Sequence, residues 1–358
     1  MTKPIGIREI AVALGVSIGT VDRALHGRSD ISPKTNARVM KKASELGYQP
    51  NIAARSLKLN RRFRIGVFFP REISSFFTPL REGVRVAASA ASGVNVDLVF
   101  RSFPRFDKGD AELLSSSLNE EFHGILVAPG NPDRISPILT AFSRKGTAVV
   151  CVSSDAPHSE HIASVTADSQ VSGALAAELF SRVIQRQGSL AVITGELTTS
   201  DHAEKLRGFA ANLAVFAPHL SMLPAIESKD KPALAYRQAL ALLARAPEPL
   251  GIYVSTANSL PVLRAMEEKG ALGKIQIITT DLFPELVPFI ESGALLATLY
   301  QRPFTQGKMA LDLLLSYLVN GKKPDLRTRI APHMIMRSNL SLFSTGTSQS
   351  SDADETRP

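Results

Sequence analysis

A chain of 358 residues, 44% apolar and 21% charged, suits a small module joined to a larger body and is too rich in core-forming residues for general disorder. No apolar run approaches the ~18 residues of a membrane span, and the N-terminal MTKPIGIREIAVALGV alternates apolar with charged residues unlike a signal peptide, so a cytoplasmic protein without membrane contact is expected. The net charge of +8 is concentrated: residues 1–62 hold 12 basic and 4 acidic side chains, leaving 29 of each elsewhere, the footprint of a polyanion-binding module on a neutral body.

Ile7, Ile10, Ala11 and Leu14 recur at helical spacing, and Gly15 ends that pattern at a tight turn. Ser17 is suited to cap a second helix that turns Val21, Ala24 and Leu25 inward. Gly27 closes it. Ser32-Pro33 marks a third start, with Ala37, Met40, Ala43 and Leu46 predicted as its inner face up to Gly47. Three short helices, the first two joined by a three-residue turn containing glycine, predict a helix-turn-helix. Pro50 forces Gln49 out of helical geometry, and Asn51 is placed to cap a further short helix through Ala53, Ala54 and Leu57.

The strings IREIAVALGVSIGTVDRAL and ISPKTNARVMKKASELGYQPNIAARSL resemble the headpiece of the lac/galactose repressor (LacI/GalR) family across residues 7–57. The resemblance implies that Ser17 to Leu25 enter the major groove, with Ile18, Gly19 and Arg23 reading bases and Ser17 and Thr20 alongside them, Thr20 at the phosphate backbone. Asp22 stands where the family carries serine; it either accepts from a cytosine amino group or holds Arg23. By the same resemblance Asn51, Ala54 and Leu57 belong to a hinge helix that orders on operator DNA, Leu57 taking the position of a minor-groove wedge. Without the family, Leu57 packing on the third helix is an equal reading.

From Arg64 onward strands and helices alternate. Strand-like runs lie at 64–69, 96–100, 124–128, 148–152, 190–194, 250–254, 276–280 and 295–300; amphipathic helices lie at 169–187, 201–215, 233–245 and 303–319. Alternation of this kind predicts parallel sheets covered by helices, with ligands held by loops just after strands. Cys151, within AVVCVS, reads as a small core residue. There is no G-x-G-x-x-G after a strand, no phosphate-binding loop and no H-E-x-x-H, so neither an enzyme nor a cofactor is indicated. HSEH at 158–161 has a metal-like look but no further ligands close in sequence, and is read as a loop without metal.

Residues 64–340 resemble the two-lobed periplasmic sugar-binding-protein fold used as the effector domain of the same family. SSFF implies Phe76 and Phe77 as sugar-stacking rings. VSSDAP (152–157) resembles a loop with two acids: Asp155 is retained, and Ser153 replaces the other. DHAEKLRGF (201–209) resembles the segment that supplies a sugar-binding arginine, here Lys205, a non-bidentate substitute. Asn258 in STAN, Asp281 in TTDLFP and Gln301 in LYQRPF complete the implied effector site.

The expected architecture is an all-α helix-turn-helix headpiece (1–49), a hinge and linker (50–62), and an α/β two-lobed periplasmic-binding-protein-like domain with parallel sheets (63–343). Lobe one is expected over 63–162 and 297–325, lobe two over 163–296 and 326–343. A disordered polar tail (344–358) without leucine heptads favours a homodimer. The resemblance implies a repressor that binds double-stranded operator DNA and responds to a sugar or polyol. A phosphorylated or carboxylated metabolite, or a partner protein, is the alternative signal; a solute-binding protein for sugar uptake is the other class of reading.

Overall fold

The computed structural model describes residues 6–25, 31–46, 62–91 and 93–344. Asn51, Ala54, Leu57 and the tail beyond Ser344 lie outside the described residues. The chain divides into a small N-terminal unit and a large body.

In the small unit, α1 (Ile7–Leu14) ends at Gly15, whose φ of 64° is the left-handed conformation that glycine adopts without a steric penalty. α2 (Ile18–Leu25) follows, and the Thr20 amide donates to Ser17 Oγ at 3.0 Å, satisfying a helix-end donor. α3 (Pro33–Glu45) is capped by Ser32, which accepts from the Thr35 amide, with Pro33 in the first turn. Ile10, Ala11, Val21, Ala24, Val39 and Ala43 form the core. The predicted inner face of α3 is corrected: Ala37 and Met40 are exposed, while Val39, Ala43 and Leu46 face the core. A three-residue repeat drifts about 60° per step around a helix of 3.6 residues per turn, whereas 39, 43 and 46 stay on one face.

The body is two sheets sandwiched by helices. The first runs β12-β5-β4-β3-β1-β2, where β1 is Arg62–Pro70, β2 Asn95–Phe103, β3 Gly124–Val127, β4 Ala148–Val152, β5 Ala163–Ala167 and β12 Arg327–Ile330. The second runs β13-β11-β10-β9-β6-β7, with β6 Gly188–Thr194, β7 Leu220–Met222, β9 Gly251–Val254, β10 Gln276–Thr280, β11 Ala297–Tyr300 and β13 His333–Ile335; β8 (Ile226–Glu227) also pairs β6. The β11–β13 pairing is antiparallel, and β6, β9, β10 and β11 run parallel as predicted for strands joined through helices. Strands β3, β4 and β9 are buried along their whole length, matching their unbroken apolar sequences.

The lobe boundaries differ from those expected. β5 and β12 belong to the first sheet and β11 to the second, so the chain crosses between lobes after Ala167, after β11 and after Ile330. ASVTA is short and half polar, and RTRI carries two charges on a sheet edge, so neither has the apolar run that announces a central strand. Two of these crossings lie together: Ile330 pairs with Ala167, and the Asp168 amide donates to the Ile330 carbonyl at 2.9 Å.

Within each lobe two helices approach closely at glycine. α4 (Ser74–Ala90) packs on α12 (Pro303–Asn320), and a Cβ on Gly83 would lie 2.0 Å from the Phe304 carbonyl oxygen. α7 (Ser169–Val183) packs on α8 (Ser200–Phe216) in the same way, where a Cβ on Gly173 would lie 2.0 Å from the Lys205 carbonyl oxygen. The remaining helices are α5 (Asp110–Ser116), α6 (Pro132–Arg144), α9 (Pro232–Leu243), α10 (Ser259–Glu268), α11 (Val287–Glu291) and α13 (Ser341–Ser344). Among the described residues no helix is long and apolar enough to cross a membrane.

Candidate functional site

The ends of the parallel strands converge on one cavity. Ile73, Phe76 and Phe77 follow β1, Phe106 follows β2, and Ser153 follows β4, all from the first lobe. Facing them are Asp201, His202 and Lys205 on α8, Thr256 and Ala257 after β9, Asp281 after β10 and Gln301 after β11. The cavity is partly open to solvent, with about 380 Å³ of space between the lining atoms counting its open mouth. Five residues expected from sequence thus line one space: Phe76, Phe77, Lys205, Asp281 and Gln301.

One wall is aromatic. Phe76 and Phe77 sit in the first turns of α4 with ring centroids 5.0 Å apart, and Phe77 meets Phe106 edge-on at 5.8 Å. The other wall is polar and preorganised. Lys205 is 1% exposed, and its Nζ donates to Asp201 Oδ2 at 2.7 Å. Ser169 donates to the other Asp201 oxygen at 2.6 Å. Burial pushes the Asp201 carboxyl up, but Lys205, His202 and these hydrogen bonds outweigh it and hold the group below its ordinary range. Asp201 and Lys205 are therefore a closed ion pair, and Lys205 does not present an uncompensated positive charge.

Asp281 behaves differently. Burial raises its pKa to about 6, against the opposing pull of Lys205 and of hydrogen bonds from Gln301. Its backbone holds φ at 70°, and Ser153 and Arg302 also take left-handed conformations, at 64° and 57°. Strain of this kind in non-glycine residues is retained where the surrounding structure fixes it. Asp281 is locked on both sides: Thr298 Oγ1 donates to its carbonyl, and the Gln301 amide and side chain donate to its carboxylate. Gln301 is itself fixed by Gln306 Nε2, which donates to its carbonyl oxygen at 2.8 Å.

Asp155 and Asn258 do not line this cavity. Asp155 lies in an adjoining polar one of about 340 Å³ with Ser154, Ser164, Ser169, Ser200, Glu204, Arg327 and Arg329; Ser153 and Asp201 border both spaces. Ser200 joins the lobes there. It accepts from the Asp155 amide at 3.1 Å, donates to the Asp155 carbonyl at 3.0 Å and lies 2.8 Å from Ser154 Oγ. Asn258 stands at the N-cap position of α10, without a side-chain cap bond, beside the cavity-lining Ala257.

Sequence reading missed His202, Phe106 and Asp230. His202 is buried, and its Nδ1 reaches the Glu196 carbonyl at 3.2 Å; since a carbonyl only accepts, Nδ1 carries the proton. Asp230 is buried 4.0 Å from that ring and accepts from Thr256 Oγ1 at 2.8 Å. Gly195 makes room for both, since a Cβ there would fall 2.1 Å from His202 Cε1. The adjacent DH of the Lys205 segment was the available signal; Asp230, in a polar loop, gave none.

On the headpiece, Ser17, Ile18 and Gly19 are exposed along the start of α2, with Ile18 53% exposed despite its apolar side chain. Arg23 Nε donates to the Gly19 carbonyl at 3.1 Å, which holds the arginine along the same helix. Thr20 lies against Ser17, their hydroxyl oxygens 2.9 Å apart.

Residues 6–51 match the model of bacterial regulatory proteins of the lacI family, and residues 65–323 match the periplasmic binding protein domain. The chain belongs to the lacI family of bacterial regulatory proteins. Among its relatives is the catabolite control protein A of Priestia megaterium, 24% identical over 204 residues, 57% of this chain and 59% of that protein. The match to that relative therefore spans less than two thirds of its length. The ribose operon repressor of Bacillus subtilis is 26% identical over 332 residues, 90% of this chain and 94% of the repressor. The body of this lacI-family chain is also similar in fold to the glucose-galactose binding protein of Geobacillus stearothermophilus, with a TM-score of 0.71, 23% identity, and coverage of 78% of this chain and 99% of that one.

Proposed function

We propose that this lacI-family chain is a sequence-specific DNA-binding repressor whose operator affinity is set by a small neutral sugar or polyol held between its lobes. The observation that carries the ligand class is the pairing of the Phe76–Phe77 wall with Asp281 and Gln301 opposite it. A sugar offers an apolar C–H face to rings and hydroxyls to bidentate acceptors and donors. Lys205 is already neutralised by Asp201, so this cavity offers a phosphate or carboxylate no free counter-charge. Ligand seated between lobes shifts their equilibrium only if it prefers one arrangement. As a homodimer, the protein would set two α2 helices in successive major grooves, and the lobe arrangement would alter their spacing. The basic first sixth of the chain has no purpose in a protein devoted to sugar uptake.

The reading in which an anionic metabolite is sensed draws on one observation. Arg327 and Arg329 face several serine hydroxyls in the adjoining polar cavity. Calorimetry with neutral pentoses, hexoses and polyols against their phosphates and acids, with operator binding followed at fixed salt, tests both. Tight binding of a neutral sugar that leaves operator affinity unchanged removes the coupling, and exclusive binding of anions replaces the ligand class.

A further inference from the structure

From Cys151, Asp155 and His161 we infer a binding site for a borderline-soft divalent cation of the zinc class, outside the sugar cavity and built at the end of β4. One ligand atom from each residue, the Cys151 Sγ, an Asp155 carboxylate oxygen and a His161 ring nitrogen, lies within 4.8 Å of the others. Thiolate, imidazole and carboxylate together are the donor set of zinc rather than of magnesium or calcium. With metal–ligand bonds of about 2.0–2.3 Å, tetrahedral ligand atoms stand roughly 3.5 Å apart. The cluster closes to that geometry by small side-chain movements, with a water in the fourth position.

The orientation of His161 supplies the independent argument. Its side chain is 3% exposed, and Nε2 has no hydrogen-bond partner although it lies 3.4 Å from Asp155 Oδ1. Ser159 Oγ donates its single proton to the Ala156 carbonyl at 2.8 Å, so at 2.9 Å from His161 Nδ1 it acts as acceptor. Nδ1 therefore carries the proton of the neutral ring, and Nε2 directs a bare lone pair toward a carboxylate. A divalent cation there satisfies both. Ser159 fixes the tautomer, as the outer partner of a metal-bound histidine commonly does.

Cys151 completes the set. Its free thiol is buried at the end of β4; binding forms the metal–sulfur bond and releases the S–H proton to solvent. Arg327 Nε, 3.4 Å from Asp155 Oδ2, opposes the cation, but its side chain is about half exposed and free to turn outward. The Asp155 amide retains its bond to Ser200, since only the carboxylate is recruited.

The experiment is cobalt titration of the full-length protein, followed by displacement with zinc. A thiolate-to-cobalt charge-transfer band saturating at one equivalent per chain is expected, lost in Cys151→Ser and retained in His158→Ala, an exposed loop histidine. Zinc affinity, measured by competition with a chromophoric chelator, falls about 10–100-fold in Ser159→Ala. A wild-type cobalt complex without the sulfur band overturns the site whatever the variants do. Zinc uptake unchanged in both Cys151→Ser and His161→Ala, each with a native unfolding midpoint, overturns it too.

Discussion

Gln301 Nε2 donates to both carboxylate oxygens of Asp281, at 3.1 and 2.9 Å, and the two side chains form one rigid acceptor–donor unit in the wall of the cavity. The unit makes ligand binding pH-dependent. Burial raises the Asp281 pKa to about 6, so the ionised carboxylate costs the empty protein stability: this group's contribution is full below the ordinary value of 3.8 and is lost as pH rises through about 6. Hydroxyl donors from a sugar favour the ionised form and lower the pKa again. Affinity is therefore expected to weaken below pH 6, by up to tenfold per unit, with a proton released on binding near that pH. Calorimetry in buffers of different ionisation enthalpy measures the proton. Asp281→Asn should abolish both the release and the slope.

The Asp201–Lys205 pair predicts a non-additive stability cycle. Lys205→Met leaves a buried carboxylate without its cation and is expected to cost about 3–5 kcal/mol in urea unfolding. Adding Asp201→Asn should recover most of that loss. Because Lys205 also draws the Asp281 pKa downward, Lys205→Met should move the pH midpoint of ligand binding above that of the wild type. Additive losses and an unmoved midpoint would show the pair to be decoupled from the site.

Legibility in the sequence followed the strength of local chemistry. The headpiece was readable because Gly15, Ser17, Ser32 and Pro33 are turn and cap signals that act within a few residues. Strands β3, β4 and β9 announced themselves by unbroken apolar runs, and Asp281 and Gln301 by following such strands directly. What escaped was set by long-range pairing. β12 is a strand because it finds β5, which lies between it and β4 in the sheet though far away in sequence, and no local pattern encodes that. The same holds for Asp155, which stands in a loop of the right kind but beside His161 and Arg327 rather than against the phenylalanines. Cys151 and His161 meet only because β4 and its following loop fold back on one another.

Gly173→Ala tests how the cavity's polar wall is positioned. The added methyl would stand 2.0 Å from the Lys205 carbonyl and 2.5 Å from the Phe209 amide nitrogen, both backbone atoms that cannot turn aside. α7 and α8 must separate, at a cost of roughly 1–3 kcal/mol for overpacking. Lys205 and Asp201 move with α8, so ligand affinity is expected to fall together with the thermal midpoint. A destabilised variant with unchanged affinity would mean that α7 supports the fold but not the site.

Arg23→Ala separates base reading from charge in the headpiece. Its guanidinium, a planar fork, is anchored through Nε to the Gly19 carbonyl at the level of α2's exposed Ile18 and Gly19. A fork of this kind pairs with guanine in the major groove and discriminates by about 1–3 kcal/mol at one base pair. Selection of operator sequences by the variant is therefore expected to lose preference at a single position per half-site, with the salt dependence of binding little changed. A phosphate contact behaves otherwise: affinity would drop evenly over all sequences, and the slope of binding against salt would fall by about one ion. Because Asp22, where the family carries serine, stands next to Arg23, the preferred base at that position must be selected for this protein rather than taken from a relative.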